Sequence, residues 1–99
     1  MDEALKQSIL RNPFVDRLRL ERVVDEAAYR ALCDALARLA QAWKGERLVD
    51  REVVQDLYVL APITRNMADP LRKRSPEVAD RVEEMAMEID ALVLECLAG

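Results

Sequence analysis

The sequence contains no histidine, and this absence excludes much of the chemistry that enzymes use. Without histidine there is no side chain that ordinarily titrates near neutral pH, no Ser-His or Cys-His nucleophile pair, and none of the commonest metal ligand. Only two glycines are present, Gly45 and Gly99, so no glycine-rich loop is available to hold a phosphate group. We therefore expect no enzyme active site, no metal and no cofactor.

Aromatic residues, prolines, glycines and cysteines are also scarce. With 4% aromatic residues, the core has to be built from leucine, valine, alanine and methionine, and two glycines and four prolines are too few for a many-turned β-sandwich. Cys33 and Cys96 form no CxxC pair and fall on apolar helical faces, so we predict two reduced thiols in the core. No apolar run is long enough to span a membrane, and the acidic start lacks the basic region of a signal peptide, so we expect a cytoplasmic protein.

The strongest pattern that is present lies in the last quarter of the chain. Ser75 suits the N-cap of a helix and Pro76 suits its first position. Apolar residues then recur at alternating steps of four and three, which is typical of a helix that packs lengthwise on another helix. This predicted seam consists of Val78, Val82, Met85, Ile89, Leu92 and Cys96, and it is widened by Ala79, Ala86 and Val93.

A second apolar row lies on the other side of the same helix, at Met87, Ala91 and Leu94. A single domain of 99 residues can cover one face of such a helix but hardly both. We therefore predict that this row is a contact with a second copy, most simply across a two-fold axis. The alternative is that residues 1–10, which can form a short helix, cover the row within the same chain.

Two further helices are predicted to begin with the same capping pattern, one at Asp25 and one at Asp50. Each aspartate has an apolar residue directly before it and another apolar residue four positions after it. The first runs to Trp43-Lys44 and ends at Gly45, which can take a left-handed conformation. In the second, the apolar pattern continues past Pro62, which favours a kinked helix over two separate helices. Asp69-Pro70 is predicted to end that helix.

The segment Phe14–Val24 is ambiguous. Leu18 and Leu20 alternate with charged residues as in a strand, yet Asn12-Pro13 is an acceptable helix start. We favour a short helix or an extended connection, and the alternative is a strand that pairs across a dimer axis. The predicted fold is all-α, a single domain of residues 1–99 in which three main helices and a short N-terminal helix form a small antiparallel bundle.

Charge is distributed unevenly along the chain. Residues 76–99 contain seven acidic residues and one arginine, a net charge of −6, whereas the rest has a net charge of +2. The basic residues that form a candidate patch for a partner are Arg17, Arg19, Arg22, Arg65, Arg72, Lys73 and Arg74. They could bind an acidic protein or nucleic acid, or they could pair with the acids of the last helix, within the chain or across a dimer. The overall charge of −4 and the lack of exposed aromatics argue against nucleic acid.

Three acids of the last helix, Asp80, Glu84 and Glu88, lie on one side and could in principle bridge metal ions. Such sites need carboxylates that point into a core, whereas these residues neighbour Arg81 and Glu83 on the polar side. We therefore interpret them as a solvated face.

These features favour a small helical protein-interaction module, such as a regulator, adaptor, immunity-type or inhibitor protein, that binds a protein of unknown identity and forms a homodimer. One alternative is a nucleic-acid-associated factor that uses the basic segments Arg17–Arg22 and Arg65–Arg74. Another is an enzyme that acts on a small molecule with only arginine, lysine and carboxylates. A buried pair of arginines in a cavity would favour the enzyme. No motif in the sequence resembles that of a known family.

Overall fold

The computed structural model describes residues 2–98, and this part of the chain is helical without any strand. The elements are α1 (Glu3–Leu10), α2 (Phe14–Asp16), a π-helical turn (Arg17–Glu21), α3 (Glu26–Ala42), α4 (Arg51–Asn66), α5 (Ala68–Arg72) and α6 (Pro76–Ala98). The predicted all-α class is confirmed. The three longest helices are the three that the sequence pattern indicated, and α1 is the short N-terminal helix.

Helices α3 and α4 each begin with a side-chain cap, as predicted. A carboxylate oxygen of Asp25 accepts a hydrogen bond from the backbone N–H of Ala28 at 2.9 Å, and one of Asp50 accepts from Val53 at 3.2 Å. Each cap provides a partner for one of the N–H groups that the first turn of a helix leaves unpaired. After α3, Gly45 has a φ of 79°, which is the left-handed conformation expected there.

Helix α4 continues through Pro62, as the unbroken apolar pattern indicated. Because Pro62 has no N–H, the carbonyl of Tyr58 receives no helical hydrogen bond from it. The prediction that this helix ends at Asp69-Pro70 is wrong, since α4 already ends at Asn66 and both residues lie inside the next helix, α5. Pro70 is the third residue of that short helix, and proline is tolerated in a first turn because the N–H groups there have no helical partner.

The ambiguous segment Phe14–Val24 forms α2 and the π-helical turn, so the short-helix interpretation is confirmed and the strand alternative is wrong. The N–H of Arg22 donates to the carbonyl of Arg17, five residues earlier, and Arg22 has a φ of 58°, which ends the turn. Leu18 is buried in the core, whereas Leu20 is 73% exposed. A π turn with a left-handed end therefore replaces the alternating pattern of a strand.

Helix α6 packs against α3, α4 and α5, and α1 packs against α3 and α4. The buried residues of α6 are Ala79, Val82, Met85, Ala86, Ile89, Val93 and Cys96. Compared with the predicted seam, the buried stripe is rotated towards Ala79, Ala86 and Val93, so that Val78 is exposed and Leu92 is only partly buried. The opposite side of α6 faces away from the core.

Candidate protein-interaction surface

The outer face of α6 is apolar at its centre and is left open by the rest of the described chain. Met87 is 68% exposed, Leu94 is 61% exposed, and Ala91 between them is also exposed. Residues spaced by four and three positions lie in one line along a helix, so these side chains form a continuous row. We call Met87, Ala91 and Leu94 the outer row. The structure therefore brings the three predicted interface residues together on the surface.

The alternative in which residues 1–10 cover this row is wrong for residues 2–10, and Met1 lies outside the described residues. Helix α1 packs on α3 and α4 instead, with Ile9 buried in the core. An ion pair of 2.9 Å between Lys6 and Asp50 also holds α1 at the start of α4. This hydrogen bond raises the pKa of Lys6 and lowers that of Asp50. The outer row thus has no cover from the N-terminal helix.

Acidic residues surround the outer row. Five exposed acids lie within one helical turn of it; Glu88 accepts from Tyr29 on another side of the helix, and the other four are Glu83, Glu84, Asp90 and Glu95. We call these four residues the acidic rim. Glu83 pairs with Arg72 at 2.6 Å and Glu84 pairs with Arg81 at 2.8 Å. Asp90 and Glu95 have no ion-pair partner among residues 2–98, so their charges remain available to a partner.

A polar cluster joins α6 to the first turn of α3 on another side of the helix. The guanidinium of Arg81 donates to both carboxylate oxygens of Glu26, each at 3.1 Å, and lies 5.4 Å from the ring centre of Tyr29. The hydroxyl of Tyr29 donates to Glu88. The bond from Arg81 lowers the pKa of Glu26 and the same bond raises that of Arg81, while burial is the main cause that raises the pKa of Tyr29.

The three acids weighed as metal ligands are engaged by other groups. Asp80 accepts from Arg72 at 2.9 Å, Glu84 from Arg81, and Glu88 from Tyr29. No group of three or more metal-ligating side chains comes together within residues 2–98. The polar cluster between α3 and α6 holds these helices together through charge-assisted hydrogen bonds, which are among the stronger polar contacts in proteins.

The seven predicted basic residues divide into two groups. Three form ion pairs: Arg17 with Asp25 at 2.9 Å, Arg19 with Asp16 at 3.8 Å, and Arg72 with two acids of α6. The other four are Arg22, Arg65, Lys73 and Arg74, which are exposed and lack an ion-pair partner within the described chain. Internal pairing with α6 therefore accounts for Arg72 alone. That the seven residues form one basic patch stays a prediction. The expected lack of exposed aromatics is wrong, since Tyr58 is 68% exposed.

A pocket of about 230 Å³ lies between α1, α2 and α4. Its apolar lining consists of Ile9, Leu10, Val15, Leu32, Val59, Leu60 and Ile63. Asp56 lines it as well and has no ion-pair partner in the part of the chain that is described; burial, and then the charge of Asp16, raise the pKa of this carboxyl. The only arginine in the lining, Arg19, is half exposed. The buried arginine pair that would favour an enzyme is therefore not found in this pocket.

Both cysteines are free thiols. Cys96 is buried, its thiol donates to the carbonyl of Leu36 at 3.3 Å, and burial raises its pKa to about 11. Cys33 is partly buried at the edge of the core, and burial raises its pKa as well. Thiols in this state react slowly because the thiolate is scarce, so both serve as packing residues.

Sequence reasoning identified the outer row but missed two other features of the structure. It did not single out Asp90 and Glu95 as the rim acids without a partner, because that depends on knowing which acids Arg72 and Arg81 engage. It also missed Asp56. The signal for Asp56 was available, since Val53, Leu57 and Leu60 place it beside the apolar side of α4.

Within residues 2–98, no helix has the length and apolarity that crossing a bilayer requires. No protein-family model matches this chain, and comparison with curated proteins and with solved structures finds no match either.

Proposed function

We propose that this chain is a small protein-interaction module that binds another protein through the outer row of α6. The observation that supports this most directly is the high exposure of Met87 and Leu94 in the second half of a helix whose opposite face is buried in the core. Single exposed apolar residues are common, but contiguous ones rimmed by polar residues mark interaction sites. In this proposal the bundle is antiparallel and serves as a rigid support for the row.

A second copy of the chain is the occupant that the sequence predicts, and the homodimer is part of this proposal. A two-fold contact uses the same patch on both chains, so Asp90 and Glu95 of one chain come close to the same acids of the other. Like charges across a contact oppose association, and salt screens this repulsion. We therefore expect the homodimer to be weak at low ionic strength and to become stronger when salt is added.

Sedimentation equilibrium over a dilution series, at low and high salt, tests this proposal. We expect Leu94→Glu to remain monomeric where the wild type associates, because it places a charge in the apolar contact. Leu48→Glu is the matched control, since Leu48 is 90% exposed in the loop between α3 and α4. Equal association of the two variants would show that the outer row is not the contact. A wild type that is monomeric at every concentration and salt level would remove the homodimer.

A role in nucleic-acid binding is a second candidate, favoured by Arg22, Arg65, Lys73 and Arg74, which have no ion-pair partner in the described range. Counterion release makes such binding strongly salt-dependent. We expect retention on immobilised DNA to fall steeply with salt if this candidate is correct. Retention that Lys73→Gln leaves unchanged would argue against it.

A further inference from the structure

Within α6, the charges beside the outer row that lack an ion-pair partner among residues 2–98 are all negative. The only basic residue of α6, Arg81, donates to Glu26 at the start of α3 and also pairs with Glu84 of the acidic rim at 2.8 Å. On the outer face the acidic rim therefore surrounds the apolar row without a basic residue of α6 among its members. Arg72, from α5, reaches only the end of the rim nearest the start of α6, where it pairs with Glu83.

Two members of the rim, Asp90 and Glu95, lie on opposite edges of the row. With about 100° of rotation per residue, Asp90 falls on one edge of the line through Ala91, and Glu95 falls on the other. Neither has an ion-pair partner among residues 2–98, whereas Glu83 and Glu84 each have an arginine. An apolar line with a free negative charge on each edge is complementary to an apolar line with positive charge on each edge.

We infer that the outer row of α6 binds a basic amphipathic helix of another protein, an inference that rests on the function proposed above. The apolar face of that helix packs on Met87, Ala91 and Leu94, and its lysines or arginines lie beside Asp90 and Glu95. Amphipathic helices present anchors at the spacing i, i+3, i+4 and i+7, which matches a row with steps of four and three. Met87 and Leu94 are seven residues apart, about 10 Å along the axis, so two turns of the partner span the row.

The chain itself offers a poorer occupant. In a two-fold dimer through this row, free acids face free acids, as described above. Exposed apolar residues beside an arginine occur at Leu20, after Arg19, and at Leu48, after Arg47, but Leu48 lies in a loop and Leu20 belongs to a single π turn of five residues that ends at a left-handed residue. A turn of that length covers less than the outer row requires. Charge complementarity and length together therefore favour a separate basic helix.

Two synthetic helical peptides of about 18 residues serve as probes. Both carry leucine at the spacing i, i+3, i+4 and i+7, and the remaining positions are mainly lysine in one peptide and mainly glutamate in the other. Binding of each peptide to the full chain is measured by titration calorimetry at low and high salt. We expect the lysine peptide to bind and its affinity to fall with salt, whereas the glutamate peptide does not bind.

Variants locate the contact. We expect Leu94→Glu to weaken binding of the lysine peptide at least about tenfold, because a central apolar contact is lost. Glu95→Gln is expected to weaken it about two- to fivefold, as for loss of an exposed ion pair. The matched controls are Leu48→Glu and Glu46→Gln, both at exposed loop positions. Circular dichroism checks that every variant retains the helical fold.

The outcomes separate this inference from the proposed function. No binding of the lysine peptide, equal binding of both peptides, or equal effects of Glu95→Gln and Glu46→Gln would overturn the basic-helix inference. If in addition the wild type forms a dimer that salt strengthens and Leu94→Glu abolishes, the proposed function stands without it. If Leu94→Glu changes neither self-association nor peptide binding, both fail.

Discussion

Truncation of two aliphatic side chains of α6 distinguishes its buried face from its outer face. Ile89 is completely buried and Leu94 is 61% exposed, and they lie five residues apart in the same regular helix. Replacement by alanine removes three carbon atoms at either position, and alanine is at least as good a helix former as the residue it replaces. A difference between the two variants therefore reports the burial of the side chain.

For Ile89→Ala, three buried methylene equivalents at about 0.8 kcal/mol each give a loss of about 2.4 kcal/mol. The cavity left behind brings the expected loss of unfolding free energy to about 3–4 kcal/mol. A domain of this size is typically stable by about 5–15 kcal/mol, so the variant should fold with a clearly lower midpoint. For Leu94→Ala we expect a change below about 0.5 kcal/mol, because the side chain is already largely in water.

Urea unfolding, followed by far-UV circular dichroism at a low and a high protein concentration, measures both changes. If Leu94→Ala lowers the midpoint as much as Ile89→Ala at low concentration, the assigned faces of α6 are wrong. A loss for Leu94→Ala that appears only at high concentration indicates instead that self-association stabilises the wild type through this residue.

Three further substitutions test other parts of the structure. Asp25→Ala should lower the unfolding free energy by about 1 kcal/mol through loss of the cap, and an unchanged thermal midpoint would place the helix start elsewhere. Burial raises the pKa of Asp56 in the folded state, so the free energy of unfolding should fall as the pH rises from 3.8, the ordinary pKa of an aspartate, to the raised pKa. Asp56→Asn should remove this fall in urea titrations across that pH range, and an undiminished fall would contradict the assignment. Pro62→Ala should raise the free energy of unfolding by about 1 kcal/mol, and with it the urea midpoint, because it restores an N–H for the carbonyl of Tyr58. A lowered midpoint would show that the chain is adapted to proline there.

Helix starts were predictable because capping is local chemistry. The caps at Asp25 and Asp50 need only the next few backbone N–H groups, and the start of α6 follows in the same way, with Ser75 accepting from the N–H of Val78 at 3.3 Å. The outer row was predictable for a related reason. A helical face can be read from spacing once the bounds of the helix are known.

The π turn and α5 were not predictable, because distant parts of the chain stabilise them. Leu18 in the π turn and Leu71 in α5 are both buried in the core, and neither segment is long enough to be stable as an isolated helix. The available charge on the outer face depends on long-range pairing as well. Arg81 reaches Glu26, 55 positions away in sequence, and a single sequence carries no signal for that contact.

We expect the polar contacts between α3 and α6 to help fix how far α6 is shifted along its own axis. An apolar seam with steps of four and three nearly repeats along the helix, so packing specifies this position less sharply than polar contacts do, and the short connection from α5, residues 73–75, limits the shift further. The bonds from Arg81 to Glu26 and from Tyr29 to Glu88 form at one position only, and polar contacts of this kind can fix helix register. We expect the double variant Arg81→Met with Tyr29→Phe to stay helical but to show more than one set of amide resonances, and a single set would contradict this. If more than one set appears, the position of the outer row along the bundle depends on residues that lie on a different side of α6.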